Sequence, residues 1–439
     1  MSSEEQEFDL DELCSLIADC PHATPKWTDA GVVVLRNQNI KNGRLDLSQP
    51  SFTDEEHYSG RVRRAKPQAG DLVITREAPM GEVCMIPEGL KCCLGQRQVL
   101  LRPDSAKVDS RYLLYSLQSP YVQNQIGWNE GTGSTVSNLR IPVLEALRIP
   151  TPRLPVQREV ASVLSALDDR ITLLRETNQT LEAIAQAIFK SWFVDFGPVR
   201  AKMEGRQIFG MDEETAALFP DELVESERGL IPKGWTVMPF LSVCEMQGGS
   251  QPPASEFVKE PLEGYIRLLQ IRDFSTDNHH TYVPITTKLK TASEDDILIG
   301  RYGSASGDRG KDSLGRVCRG LSGAYNVALM KLVPLKIGRE FALQIVMDPS
   351  FYGYLQGVSS KAVQSGFSKK ELSLLLVVLP CADLLERYER IGALVWQMQK
   401  SNGRKIELLT DIRNTLLPRL ISGKLRVPVD ETEALTNEG

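Results

Sequence analysis

Hydrophobic positions follow two patterns along this chain, and the pair of patterns occurs twice. Short β-branched runs come first, among them Gly31-Val32-Val33-Val34-Leu35-Arg36, Gly70-Asp71-Leu72-Val73-Ile74-Thr75-Arg76 and Gly95-Gln96-Arg97-Gln98-Val99-Leu100-Leu101, separated by Gly, Pro, Asn and Asp. Such runs predict the strands of a twisted, mostly β globule with a few helices. From Val160 the period changes. Val163, Leu167, Ile171, Leu174, Leu181, Ala185, Ile188 and Trp192 recur at three- and four-residue spacing, which predicts a long helix with a narrow apolar seam of coiled-coil type. At about 1.5 Å per residue, Val156 to Trp192 would form a rod of roughly 55 Å.

The same succession then returns. Tyr265 to Gln270 answers Gly31 to Arg36, Asp295 to Arg301 answers Gly70 to Arg76, Gly323 to Leu329 answers Gly95 to Leu101, and Asp348-Pro349-Ser350 answers Ser119-Pro120-Tyr121, at offsets of 234, 225, 228 and 229. A register held over more than a hundred residues signals a duplicated domain. Each copy ends on a proline-punctuated strand, Leu147 to Pro152 and Leu375 to Pro380, and a long helix follows both times. The second helix has a seam of Ile391, Leu394, Met398, Leu408, Ile412 and Leu416, interrupted by Ser401 and Lys405, while Asn178 places a register-fixing polar group in the first. The expected fold is α+β: two tandem mostly-β domains joined by two long helices that form an antiparallel coiled coil, a pseudo-twofold dumbbell. The boundaries read as domain 1 over 1–155, a helical region over 156–196, an acidic linker or insert over 197–234, domain 2 over 235–382, a second helical region over 383–427 and an acidic tail over 428–439.

Charge refines this picture. The net charge is −6, yet residues 1–20 hold seven acids and no bases, 204–229 eight acids and two bases, and 430–439 four acids, so the other 383 residues are at +11. Both predicted β domains are mildly basic, with 17 Lys or Arg against 13 acids over 21–153 and 17 against 14 over 231–380. An overall acidic charge therefore does not exclude nucleic acid. No apolar run approaches the ~18–20 residues that span a bilayer, and the acidic N-terminus lacks the basic start and apolar stretch of a signal peptide, so the expected location is the cytoplasm. The eight cysteines show no CxxC pair and read as reduced thiols.

Catalytic signatures are sparse. The glycine-rich stretch Gly300 to Asp312 fails the phosphate-loop spacing, because Lys311 precedes Asp312 and Ala305 lies five before Gly310. The four histidines, His22, His57, His279 and His280, have no metal-binding spacing, and neither a GxSxG elbow nor a GxGxxG turn occurs. The chain reads as a binding protein with no metal, not as an enzyme.

Two segments carry a resemblance: Phe189-Lys190-Ser191-Trp192-Phe193-Val194-Asp195-Phe196-Gly197-Pro198-Val199-Arg200-Ala201-Lys202 and Thr415-Leu416-Leu417-Pro418-Arg419-Leu420-Ile421-Ser422-Gly423-Lys424-Leu425. With the duplicated plan and the segment Leu154 to Ala161, the chain resembles the specificity subunit of type I restriction-modification systems over residues 20 to 427. Val156 and Gly197 depart from that family's usual acidic residues. The resemblance implies two target-recognition domains, each reading half of a split double-stranded DNA site, and helices that act as ruler and docking surface. It further implies two methylation subunits using S-adenosylmethionine and two restriction subunits, motor nucleases driven by ATP and Mg, with no cofactor in this chain. A cytosolic protein-binding scaffold without DNA recognition is the competing reading.

Base edges are read by Arg, Lys, Asn or Gln on loops beyond strand ends. In the first domain these are Arg36, Asn37, Gln38, Asn39, Thr75, Arg76, Gln96, Arg97, Gln98, Thr132, Ser134 and Thr135, with the basic run Arg61, Arg63, Arg64 and Lys66 assigned to phosphates. In the second they are Gln270, Arg272, Arg301, Tyr302, Tyr325, Asn326, Ser360, Lys361, Gln364 and Ser365, with Lys369 and Lys370 as phosphate anchors. Trp192, Phe193, Phe196, Arg200, Leu416, Arg419 and Leu420 are the candidates for partner docking.

Overall fold

A computed structural model describes residues 6–127, 138–208, 210–275, 280–303, 312–359 and 366–428. The chain divides into two compact units, Met1–Arg175 with Arg404–Gly439, and Glu176–Gly403, and both long helices, Leu154–Phe189 and Ala382–Ile421, contribute to each unit.

In the first unit a four-stranded antiparallel sheet has the order Cys14–Asp19, Gln98–Pro103, Leu72–Thr75, Val83–Met85. Leu72, Val73, Ile74 and Thr75 are all buried, as expected of a strand covered on both faces. A second sheet pairs Val32–Leu35 with Ser51–Thr53 antiparallel and with Cys92–Leu94 parallel. Helix Ser110–Gln118 starts where the Asp109 carboxylate accepts from the Arg111 and Tyr112 amides, satisfying donors that the first turn leaves open. The unit's core runs from the sheet through this helix to Val160, Ala161 and Leu164 of the first long helix and Leu420 and Ile421 of the second.

The second unit repeats the plan. Its four-stranded sheet has the order Cys244–Gly248, Leu329–Pro334, Ile297–Gly300, Val317–Cys318, and Tyr265–Leu269 pairs parallel with Gly323–Tyr325. The duplication holds, but one offset shifts. The Gly95 amide donates to the Leu35 carbonyl and the Asn326 amide to that of Leu269, so Gly95 corresponds to Asn326 rather than to Gly323. Gln98, which faces Thr75, likewise corresponds to Leu329, which faces Gly300. Matching glycine with glycine misaligned that segment by three residues. Residues of 197–234 are folded: Phe219 and Ile231 enter the second unit's core, and Leu223–Ser226 and Gly229–Pro232 form a hairpin.

In each unit the two long helices pair antiparallel. Asp168 meets Arg413 in the first unit; in the second, Ala185 accepts from Tyr388, Glu182 meets Gln399, and Asn178 meets Gln399 and Asn402. Of its predicted seam the first helix buries Ile171, Leu174 and Ala185, and Trp192 is buried in the turn that follows it. The second follows its prediction only at the ends: Ile391 and Leu416 pack against the cores, but Leu394, Met398 and Leu408 are 62, 52 and 60 % exposed, and Ile412 is exposed as well. Its inward face carries Leu384, Tyr388, Gln399, Asn402 and Arg413, so amides and a guanidinium replace much of the apolar seam. The Asn402 amide donates to the Asn178 side-chain carbonyl at 2.9 Å, a pairing that a slipped register would break.

The first long helix ends in a π-helical turn, Lys190–Val194, after which Phe196 adopts φ 54, a left-handed conformation unusual for a residue with a Cβ. Burial of its ring, edge-on to Trp235 with centroids 5.6 Å apart, holds it there.

Candidate nucleic-acid interface

Strand pairing gathers the predicted reading segments of the first unit. Parallel pairing sets Leu35 beside Leu94, and antiparallel pairing sets Thr75 opposite Gln98, so segments 36–39, 75–76 and 96–98 leave the sheets at one edge. The Gln98 side chain joins them, accepting from the Gly95 amide at 2.9 Å and donating to Asn37 at 3.3 Å.

The side chains at this edge divide into those that build it and those that face outward. Thr75 donates to the Pro79 carbonyl and accepts from the Glu82 amide. Asn39 accepts from the Arg36 amide and donates to Asp46, closing the short turn Asn37–Asn39, and Asn37 donates to the Glu77 carbonyl. Arg76 donates to the Leu139 carbonyl at 3.0 Å and to both oxygens of Asp19 at 2.8 Å. Thr75 and Gln98 are fully buried and Asn39 nearly so. These residues shape the edge instead of facing a ligand.

Arg61 is corrected in the same way. Its guanidinium donates to the carbonyls of Leu94, Ala23, Pro21 and Gly95 at 2.7 to 3.1 Å, so it ties down carbonyls that no strand ladder satisfies and is not held out for phosphates. Arg63, Arg64 and Lys66 of the same run are exposed, as are Arg36, Gln38 and Arg97, the last within 3.2 Å of Glu77. Gln96 donates to the His22 carbonyl and Thr24 hydroxyl, tethering the neighbouring loop. That loop presents Trp27, 45 % exposed, with the Arg36 guanidinium 5.3 Å from its ring centroid. Sequence reasoning passed over Trp27, although a Lys26-Trp27 pair in a Pro- and Thr-containing loop was the available signal.

The second unit has an equivalent edge. Arg301 takes the place of Arg76: its amide donates to the Ala328 carbonyl as that of Arg76 does to Arg97, and its Nε donates to Phe367 as that of Arg76 does to Leu139. Tyr302 lies against the Arg301 guanidinium at 4.7 Å. Gln270 and Arg272 both donate to the Thr281 hydroxyl, and Asn326 accepts from the Ala328 amide. Tyr325 is fully buried, so it belongs to the core and does not reach outward. Lys369 and Lys370 are exposed, with Lys369 3.7 Å from Glu245. Thr132, Ser134, Thr135, Ser360, Lys361, Gln364 and Ser365 lie outside the described residues.

The docking candidates are corrected too. Trp192, Phe193 and Phe196 are buried in the second unit's core, Leu420 is buried in the first unit's, and Leu416 packs partly buried beside it. Arg200 is exposed and donates to the Asp195 carbonyl, and Arg419 is exposed.

Burial pushes the thiols of Cys14, Cys84, Cys92, Cys244 and Cys318 up to about 12, which leaves them protonated and unreactive at neutral pH. Among the described residues no group of three or more His, Cys, Asp or Glu is placed to hold a metal ion, and no helix is long and apolar enough to cross a membrane.

Residues 3–183 match the type I restriction modification DNA specificity domain family. The chain is 25% identical over 380 residues to the Methanocaldococcus jannaschii type I restriction enzyme MjaIX specificity subunit, covering 82% of this chain and 78% of that one. It is 24% identical over 348 residues to the Haemophilus influenzae HindI specificity subunit, covering 67% and 73%. Its fold is similar to the crystal structure of a type I restriction-modification system S subunit from M. genitalium, with a TM-score of 0.53 and 16% identity over 96% of this chain and 97% of that one. Residues 3–183 thus carry the DNA specificity domain of type I restriction-modification systems, and over most of its length the chain is similar to the specificity subunits of those systems.

Proposed function

We propose that this chain recognises a bipartite, asymmetric DNA site for a type I restriction-modification complex, each β domain reading one half while the paired helices set the spacer and dock methylation subunits. The observation that carries this reading is the pair of equivalent sheet edges, braced alike by Arg76 and Arg301 yet lined by different outward side chains. Equivalent scaffolds with diverged surfaces suit two different half-sites, whereas identical copies would suit a palindrome. Exposed Arg36, Gln38 and Arg97 beside Trp27 offer the donors and the flat ring that suit base edges and sugar-phosphate. Methylation and cleavage then fall to partners, two methylation and two restriction subunits that bring S-adenosylmethionine, ATP and Mg, and the complex works in the cytoplasm, where the DNA is.

The deciding experiment co-expresses the chain with the methylation subunit from the same source and maps methylated adenines across a genome. One split motif with a fixed spacer is expected. A contiguous motif rules out the two-domain reading, and the absence of both complex and methylation favours a protein-binding scaffold.

The exposed part of the basic run makes a separate prediction. Replacing Arg63, Arg64 and Lys66 by Ala should weaken binding to all duplexes alike and lower the slope of log K against log salt by up to about 3, close to one unit for each phosphate that is no longer neutralised. Titration of wild type and variant at several salt concentrations measures it, and a changed sequence preference would contradict it.

A further inference from the structure

Each β domain meets its long helix in two stages. Apolar contacts come first: Val160, Ala161 and Leu164 lie in the first unit's core, and Leu384 and Tyr388 in the second's. Farther along each helix stands a polar node. In the first unit the Asp168 carboxylate accepts from the Tyr115 hydroxyl at 2.9 Å and from Arg413 of the other helix at 2.8 Å, and lies 3.6 Å from Arg44 of the β domain. Arg44 also reaches the Thr172 hydroxyl and the Asp168 carbonyl. In the second unit the Trp396 indole donates to Asp295 at 2.7 Å, Lys400 pairs with Asp295 and Glu294, and the Trp396 ring lies 4.0 Å from the Arg319 guanidinium. Asp168 and Trp396 each stand fourteen residues beyond the first residue of their helix, so one attachment plan is used twice with different chemistry.

Apolar burial is non-directional and lets surfaces roll on one another, whereas hydrogen bonds are sensitive to angle. The stretch from Leu164 to Thr172 extends the first contact by about 12 Å along the axis, which turns a pivot into a two-point mount. Arg175 stands near the same carboxylate: burial, then the nearby charges of Arg44 and Arg413, lower the pKa of the Arg175 guanidinium, and Asp168 opposes that shift. We infer that Asp168 and Trp396 are positioning residues that fix the angle of each β domain on its helix and thereby set how strictly the protein discriminates spacer length. This rests on the split-site reading above.

The test uses the full chain in complex with its methylation subunit. Wild type first selects its duplex from a library with randomised halves. Binding is then measured to that duplex and to versions with the spacer one base pair longer or shorter. For Asp168→Asn and Trp396→Phe, discrimination between correct and altered spacers should fall about tenfold, since affinity from pre-organisation is lost while the base contacts remain, and base preference in both halves should be unchanged. Asp168→Glu, which keeps the charge, should recover part of the discrimination. Thermal melts identify a variant that fails to fold, in which case the remaining variants carry the test. Wild-type discrimination in the folded variants, or altered base preference, overturns the inference. A wild-type complex that selects no split duplex overturns the functional reading and the inference with it, a failure seen before any variant is made.

Discussion

Replacing Arg319 with Ala is expected to destabilise the second unit by about 3–5 kcal/mol, read as a lower denaturant midpoint. Arg319 donates to both oxygens of Glu340 at 2.7 and 2.8 Å, and their side chains are only 6 and 9 % exposed. Removing the guanidinium leaves a buried carboxylate with no countercharge, next to Glu389, whose own carboxyl is raised by burial and by Glu340. The surroundings offer little relief. Glu389 accepts from the Glu340 and Phe341 amides, which keeps a second carboxylate beside that of Glu340. Most of the loss reflects the stranded charge and not the worth of the pair. The double change Arg319→Met with Glu340→Leu should therefore recover most of the stability. A cost below about 1 kcal/mol for Arg319→Ala would contradict this account.

Phe193→Ala should cost a similar ~3–5 kcal/mol, as expected for emptying a ring-sized volume in a packed core. Phe193 has ring centroids within 4.9 to 5.9 Å of Phe189, Trp192, Trp235, Phe341 and Tyr388. This substitution separates core from docking surface. If Phe193 served chiefly to bind a partner, the isolated variant would unfold at the wild-type midpoint and only assembly would suffer. Unfolding of the isolated chain, followed by circular dichroism, distinguishes the two outcomes.

The sequence made some of this legible for identifiable reasons. Runs such as Leu72 to Thr75 declare themselves because a strand buried on both faces reads as an unbroken apolar run rich in β-branched residues. The duplicated plan followed from those runs. The middle of the second helix's seam stayed hidden because its inward positions include Gln399, Asn402 and Arg413, and there apolar periodicity tracked the outward Leu394, Met398, Leu408 and Ile412 instead. At the candidate interface, strand ends located the right loops, but the roles within them were not readable. A guanidinium that ties four carbonyls together, as Arg61 does, is written in the same letter as one that meets phosphate. Only geometry tells them apart.

The way the two units share the long helices has a consequence for how the protein is made. The first unit begins at the N-terminus, yet its core includes Leu420 and Ile421, and Asp168 waits for Arg413, 245 residues later in the chain. At roughly 5–20 residues per second on the ribosome, that interval lasts about 12 to 50 s. The domain synthesised first is therefore the last to be completed. Until then it exposes the helix face that residues 404–421 will cover, and any factor that slows the ribosome over the second half lengthens the time for which the unfinished domain needs protection from aggregation.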